Sequence, residues 1–71
     1  MSSNKSPDIS IVVPAYNSEK ILPHLVTQLA AVMSKSEWSY EVIFVCDYSP
    51  DASWDVISSL AESNRAVRGI L

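Results

Sequence analysis

Two short apolar runs flank an amphipathic stretch in this 71-residue chain, and their alternation constrains the fold more than any other feature. The first, Ile9 to Val13 (Ile-Ser-Ile-Val-Val), is β-branched and closes at Pro14; the second, Glu41 to Cys46 (Glu-Val-Ile-Phe-Val-Cys), is more strongly apolar. Both read as strands. Val12 and Val13 are adjacent, so apolar side chains point to both faces of the first strand, as in a parallel sheet covered on both sides. Proline cannot continue a central ladder, so Pro14 is expected to mark the strand end. Between the runs, Ile21, Leu22, Leu25, Val26, Leu29, Ala30, Val32 and Met33 recur at spacings of three and four. That stripe predicts a helix from about Leu22 to Ser34, with Pro23 tolerated in its first turn.

The same alternation continues. Asp47 to Asp51 is a turn with helix-start chemistry, in which Ser49 or Asp51 can cap and Pro50 suits a first helical position. Trp54, Ile57, Leu60 and Ala61 follow at helical spacing, and this helix is expected to end near Ser63 and Asn64. Val67 to Leu71 reads as a third strand, which Gly69 weakens. Strand, helix, strand, helix, strand predicts an α/β, Rossmann-like parallel sheet over residues 9–71, preceded by a flexible N-terminal tail at 1–8. With strands in the order 3-2-1, right-handed crossovers place both helices on one face. The other face is then apolar and bare, and the chain is expected to self-associate through it.

Charge and cysteine content remove several classes. The net charge is −3 and the five Lys and Arg are scattered, so neither nucleic acid nor an anionic membrane surface finds a clustered positive face. Cys46 is the single cysteine, which excludes an intrachain disulfide and favours a reducing, cytoplasmic setting. No apolar run approaches the roughly 20 residues that span a bilayer. The start of the chain has no apolar core of a signal peptide.

In open α/β sheets, ligands bind outside the carboxyl ends of the strands. Two loops lie there, Pro14 to Ser18 and Asp47 to Asp51. The single glycine is Gly69, so neither loop carries a dinucleotide fingerprint or a P-loop, and backbone amides are not expected to cradle a pyrophosphate. Tyr16 offers an aromatic face and a hydroxyl to a base, or is a half-exposed turn residue. Asp47 offers a carboxylate to a ribose hydroxyl or base N–H, or caps the loop that follows it. Asp51 is read as a helix-start residue, Asp55 and Glu62 as a solvated face, and His24 as structural or surface. Cys46 is expected to be a buried strand residue, and Trp38 and Trp54 to be packing residues.

These residues resemble a known family. Ile11-Val12-Val13-Pro14-Ala15-Tyr16-Asn17 resembles the opening strand and turn of the family 2 glycosyltransferases, which have the GT-A fold, and Leu22-Pro23 suits their first helix. Tyr40 through Asp51 (Tyr-Glu-Val-Ile-Phe-Val-Cys-Asp-Tyr-Ser-Pro-Asp) is similar to their second strand, where the usual ending is Val-Asp-Asp-Gly-Ser-x-Asp, and Ser53-Trp54-Asp55-Val56-Ile57 continues the likeness. It spans Ile9 to Leu71 and is closest to the branch of polyprenyl-phosphate sugar transferases, dolichol-phosphate mannose synthases among them. The resemblance implies that Pro14, Ala15 and Tyr16 line the nucleobase pocket of a UDP- or GDP-linked sugar donor. It also implies that Val45 contacts the nucleoside and that Asp47 holds base or ribose. Cys46 departs from the first Asp of the family pair, Tyr48 from the glycine, and Ser18 stands where a glutamate commonly follows Asn17.

The resemblance also implies what lies elsewhere. The family's Asp-x-Asp metal motif falls beyond the third strand, and the catalytic base later still. No Asp-x-Asp spacing occurs here, since Asp47, Asp51 and Asp55 stand four apart. Mg²⁺ or Mn²⁺ is thus implied for the complete enzyme and no bound metal is expected in this chain. The expectation is the nucleoside-binding opening of a glycosyltransferase, inactive by itself, at the cytoplasm or the cytoplasmic face of the membrane. The alternative is a non-catalytic truncated relative or a small α/β module that works by self-association. A phospho-receiver domain is disfavoured, because it needs an acidic pair where Pro14-Ala15 stands.

Overall fold

The computed structural model describes residues 7–48 and 50–71. Five elements alternate: β1 (Ile9–Ala15), α1 (Leu22–Met33), β2 (Tyr40–Cys46), α2 (Ser53–Ser63) and β3 (Val67–Ile70). The strands form one parallel sheet in the order β1-β2-β3. This is the α/β, Rossmann-like arrangement that the alternation predicts. Residues 1–6 of the expected tail, and Ser49, the alternative cap for α2, lie outside the described residues.

Strand alternation decides which side is core. Ala15, Val42, Phe44, Cys46 and Val67 point to one face, where they meet Leu22 and Val26 of α1 and Ile57 of α2 in a single buried cluster. Phe44 and Ile57 are wholly buried at its centre. Both helices therefore cover the same face. The opposite face carries Val12, Ile43, Val45 and Ile70, with Ser10, Glu41 and Arg68 at one corner. Val12 is 61% exposed and Ile70 49%. No described element covers them.

Four local expectations need correction. β1 runs through Pro14, which pairs with Val45. The Ile9 N–H donates to the Ser39 carbonyl, so alternate residues of β1 turn their nitrogens toward β2 and Pro14 turns its own to the unpaired edge, where the missing N–H costs no ladder bond. α2 begins at Ser53, which places Pro50 before the helix. Trp38 is 58% exposed, because the connection into the amino end of β2 passes under no other element; Trp54 does pack against the core. Ile21 and Val32, included in the helical stripe, are also exposed, one preceding α1 and the other in its last turn.

β3 forms with Gly69 inside it. Gly69 lies opposite Phe44 on the core face, and α2 sits so close above it that there is no room for a side chain.

Candidate nucleoside crevice at the strand carboxyl ends

The β1–β2 ladder ends at the pair Ala15–Cys46. Tyr16 and Asp47 are the next residue on each strand, so the parallel register carries them out together at the same edge of the sheet. Both are exposed, Tyr16 by 60%. One pair earlier, Pro14 and Val45 share the uncovered face, where Val45 is 37% exposed. Ala15 differs from the other candidates: its side chain is buried in the core, so only its backbone borders the crevice. Among the described residues none hydrogen-bonds the Asp47 carboxylate, and so none of them is capped by it.

Asp51 behaves as a helix-start residue and does more. One carboxylate oxygen accepts the Ser53 N–H at 3.1 Å; the other accepts the Glu19 N–H of the first loop, also at 3.1 Å. The Glu19 carboxylate in turn accepts the Ala52 N–H at 3.3 Å, and the wholly buried Ser53 hydroxyl accepts the Ser18 N–H at 2.9 Å. Ser18 also closes the turn that leads into α1, its carbonyl taking the N–H groups of Ile21 and Leu22. The residues that tie the two loops, Glu19, Asp51 and Ser53, escape sequence reasoning as a group. Glu19 lies more than thirty positions from Asp51 and Ser53, and only the helix-start signal at Asp51 is local.

Two loop residues have left-handed backbone, Asn17 at φ 56° and Tyr48 at φ 50°. Asparagine adopts this region readily; tyrosine does so at a cost. Tyr48 occupies the position where the family motif has glycine, and the positive φ gives the physical reason for that glycine.

A shallow depression of about 420 Å³ lies next to the crevice, lined by Asn17, Ser18, Glu19, Lys20, Ile21 and Asp51. None of Pro14, Ala15, Tyr16, Val45 or Asp47 lines it. Among the described residues, no three His, Cys, Asp or Glu side chains gather into a metal-binding set, and the nearest carboxylates, Glu19 and Asp51, are engaged by backbone N–H groups. No described helix is long and apolar enough to cross a membrane.

Comparison with known proteins agrees with this architecture. The family model of glycosyl transferase family 2 matches residues 10–71. An uncharacterized glycosyltransferase of Synechocystis sp. is 36% identical over 86% of this chain and 19% of its own length. An undecaprenyl-phosphate 4-deoxy-4-formamido-L-arabinose transferase of Aeromonas hydrophila is 38% identical over 75% of this chain and 16% of its own. The enzyme of the same name from Shewanella sediminis is 36% identical over 100% of this chain and 22% of its own. The chain thus spans about a fifth of the length of the curated relatives it matches. A parallel three-stranded sheet with the family's opening motifs at the ends of its first two strands, matched by the family model over nearly all its residues, belongs to glycosyl transferase family 2.

Proposed function

We propose that this chain holds the nucleoside end of a nucleotide-diphosphate sugar, UDP- or GDP-linked, for transfer of the sugar to a polyprenyl phosphate. The observation that carries the reading is the shared exit of Tyr16 and Asp47 from the last ladder pair, which brings an exposed tyrosine and an exposed aspartate out at one edge of the sheet. A base packs on the ring, and its N–H or a ribose hydroxyl donates to Asp47. Pro14 and Val45 supply apolar contact beside them, and the Ala15 backbone borders the base. The polyprenyl-phosphate acceptor is proposed from the similarity to undecaprenyl-phosphate sugar transferases.

In the reaction, an acceptor phosphate oxygen attacks the anomeric carbon while its bond to the nucleoside diphosphate breaks. The residues of the crevice bind and orient the leaving nucleotide. Mg²⁺ or Mn²⁺ would neutralise the diphosphate in the complete enzyme. Among the described residues, no three His, Cys, Asp or Glu side chains gather into a set that could hold it. The chain alone is expected to give no turnover.

The test is titration of UDP and GDP against the isotope-labelled chain, followed by NMR. Shifts centred on Tyr16 and Asp47 are expected. Flat spectra with both nucleotides would refute a nucleoside site in this chain, and sugar transfer by the purified chain would refute its inactivity.

A second reading has its own observation. Val12, Val45 and Ile70 form an exposed apolar surface on the uncovered sheet face, beside an unpaired β1 edge. We read that face as the site where a second copy of the chain packs, a role that needs no catalysis.

A further inference from the structure

We propose that Glu19, Asp51 and Ser53 are positioning residues: a latch that fixes the loop bearing Tyr16 against the loop bearing Asp47. The hydrogen bonds are reciprocal. The first loop donates from Ser18 to the Ser53 hydroxyl and from Glu19 to the Asp51 carboxylate; the second donates from Ala52 back to the Glu19 carboxylate. A hydrogen-bonded carboxylate holds its donor more firmly than a neutral acceptor does, and each loop supplies one.

Each loop is consequently tied at two points. At one end the ladder pair Ala15–Cys46 holds them together. At the other end the latch holds them, two and three residues past Tyr16 and from Asp51 onward past Asp47. The latch also joins the approach to α1 with the start of α2, because the Ser18 carbonyl closes the turn that leads into α1 while its N–H reaches Ser53. Tyr16 and Asp47 lie between ladder and latch, and the Tyr16 carbonyl accepts the Ser18 hydroxyl at 2.8 Å. Cutting the latch releases the far ends of both loops and leaves the sheet intact. Ser53 suits this role because it is wholly buried, so its hydroxyl has no water to compete with the Ser18 N–H.

The consequence for ligand binding rests on the proposed nucleoside crevice; the latch itself is a property of the chain alone. The experiment keeps the two apart. Amide exchange and amide resonances are measured on the full chain for wild type, Ser53→Ala, Glu19→Ala and Glu19→Gln. In Ser53→Ala, faster exchange is expected at Ser18; in Glu19→Ala, at Ala52. In both, the Tyr16 and Asp47 resonances shift or broaden, while Val42 and Phe44 remain protected. Glu19→Gln retains a neutral carbonyl acceptor for the Ala52 N–H and is expected to fall between wild type and Glu19→Ala. Unmoved Tyr16 and Asp47 resonances in Glu19→Ala would overturn the proposal, as would equal disturbance by Glu19→Ala and Glu19→Gln. Should Ser53→Ala unfold the chain, the Glu19 pair decides alone, since Glu19 lies outside the core. UDP and GDP are then titrated. If wild type binds, several-fold weaker binding by Glu19→Ala supports the latch as a positioning device, and equal binding overturns that role. If wild type binds neither nucleotide, the nucleoside reading falls and the exchange data still decide the latch.

Discussion

A Cβ atom on Gly69 would stand 2.5 Å from Cγ2 of Ile57, with two Trp54 ring atoms at 3.1 and 3.3 Å. α2 thus rests on β3 at a distance that only glycine permits, and Ile57, wholly buried, cannot swing aside. Gly69→Ala is expected to destabilise the chain by about 1–3 kcal/mol, the usual range for overpacking a core. Ile57→Leu removes the β-branch carrying Cγ2, so the double variant Gly69→Ala/Ile57→Leu is expected to lose less than the sum of the two single changes. Urea unfolding of the four proteins measures this; strict additivity would show that the contact is not the cause.

Tyr48 holds left-handed backbone without being glycine. That conformation costs an L-residue about 1–2 kcal/mol. Glycine recovers it but carries roughly 0.5–1 kcal/mol of extra chain entropy into the unfolded state. Tyr48→Gly is therefore expected to raise stability by on the order of 0.5–1 kcal/mol. Tyr48 is 77% exposed, so little packing is lost. A lowered urea midpoint in Tyr48→Gly would mean that the ring makes a contribution greater than the strain.

Gly69 and Tyr48 mark the two ways in which a sequence of this kind conceals its structure. Element order and type follow from periodicity, because alternation and the three-four stripe are set by neighbours along the chain. The crevice follows in outline from the same logic: once two parallel strands are recognised, their carboxyl ends share an edge, which brings Tyr16 to Asp47. Pro14 is less legible, since proline ends a central strand but not one whose nitrogen faces an open edge. The need for Gly69 depends on how deeply α2 sits, and the latch depends on Glu19 meeting Asp51 across 32 positions. Neither has a local signature. The left-handed turn at Tyr48 is concealed for the opposite reason, because the residue type that would announce it is absent.

At the corner of the uncovered face, Glu41 accepts a hydrogen bond from the Ser10 hydroxyl and lies 3.3 Å from Nη1 of Arg68. The Ser10 bond foremost, and Arg68 after it, hold the Glu41 carboxyl below its ordinary value of 4.5, against an opposing desolvation. A carboxyl with a lowered native pKa binds its proton more weakly folded than unfolded, so its ionisation favours folding. The contribution is full above pH 4.5 and is lost as pH falls through the lowered native value. Wild type is expected to exceed Glu41→Gln in urea midpoint near neutrality, with the gap closing in acid below that range. Arg68 is largely solvent-exposed, so the gap should be small and shrink with added salt. A pH-independent gap would assign the effect to something other than this proton.

Val12 lies midway along the outer strand β1 on the uncovered face, paired with Ile43 and 61% exposed. Val12→Lys is expected to change unfolding stability by no more than about 0.5 kcal/mol, since the side chain makes little core contact. It should, however, shift sedimentation toward monomer at concentrations where wild type self-associates, because a charge would be buried in the apolar contact. Monomeric wild type at high concentration would remove the second-copy reading; unchanged association in Val12→Lys would move the contact away from this face.

Tyr16 and Asp47 give the sharpest functional forecast. If the ring packs on the base and the carboxylate takes a ribose hydroxyl or base N–H, Asp47→Asn is expected to weaken nucleotide binding by about tenfold, or ~1.4 kcal/mol. Tyr16→Ala should weaken it independently, so the two losses multiply. Both residues are exposed, so neither change should alter the unfolding midpoint. The phosphates allow a separate check. With its single glycine at position 69, neither loop offers a glycine-rich amide cradle, and Glu19 and Asp51 place carboxylates beside the crevice. Uridine or guanosine should therefore bind this chain within a few-fold of the corresponding diphosphate. A diphosphate that binds far more tightly than its nucleoside would locate a phosphate site among these residues and shift the centre of recognition from Asp47 toward the start of α1.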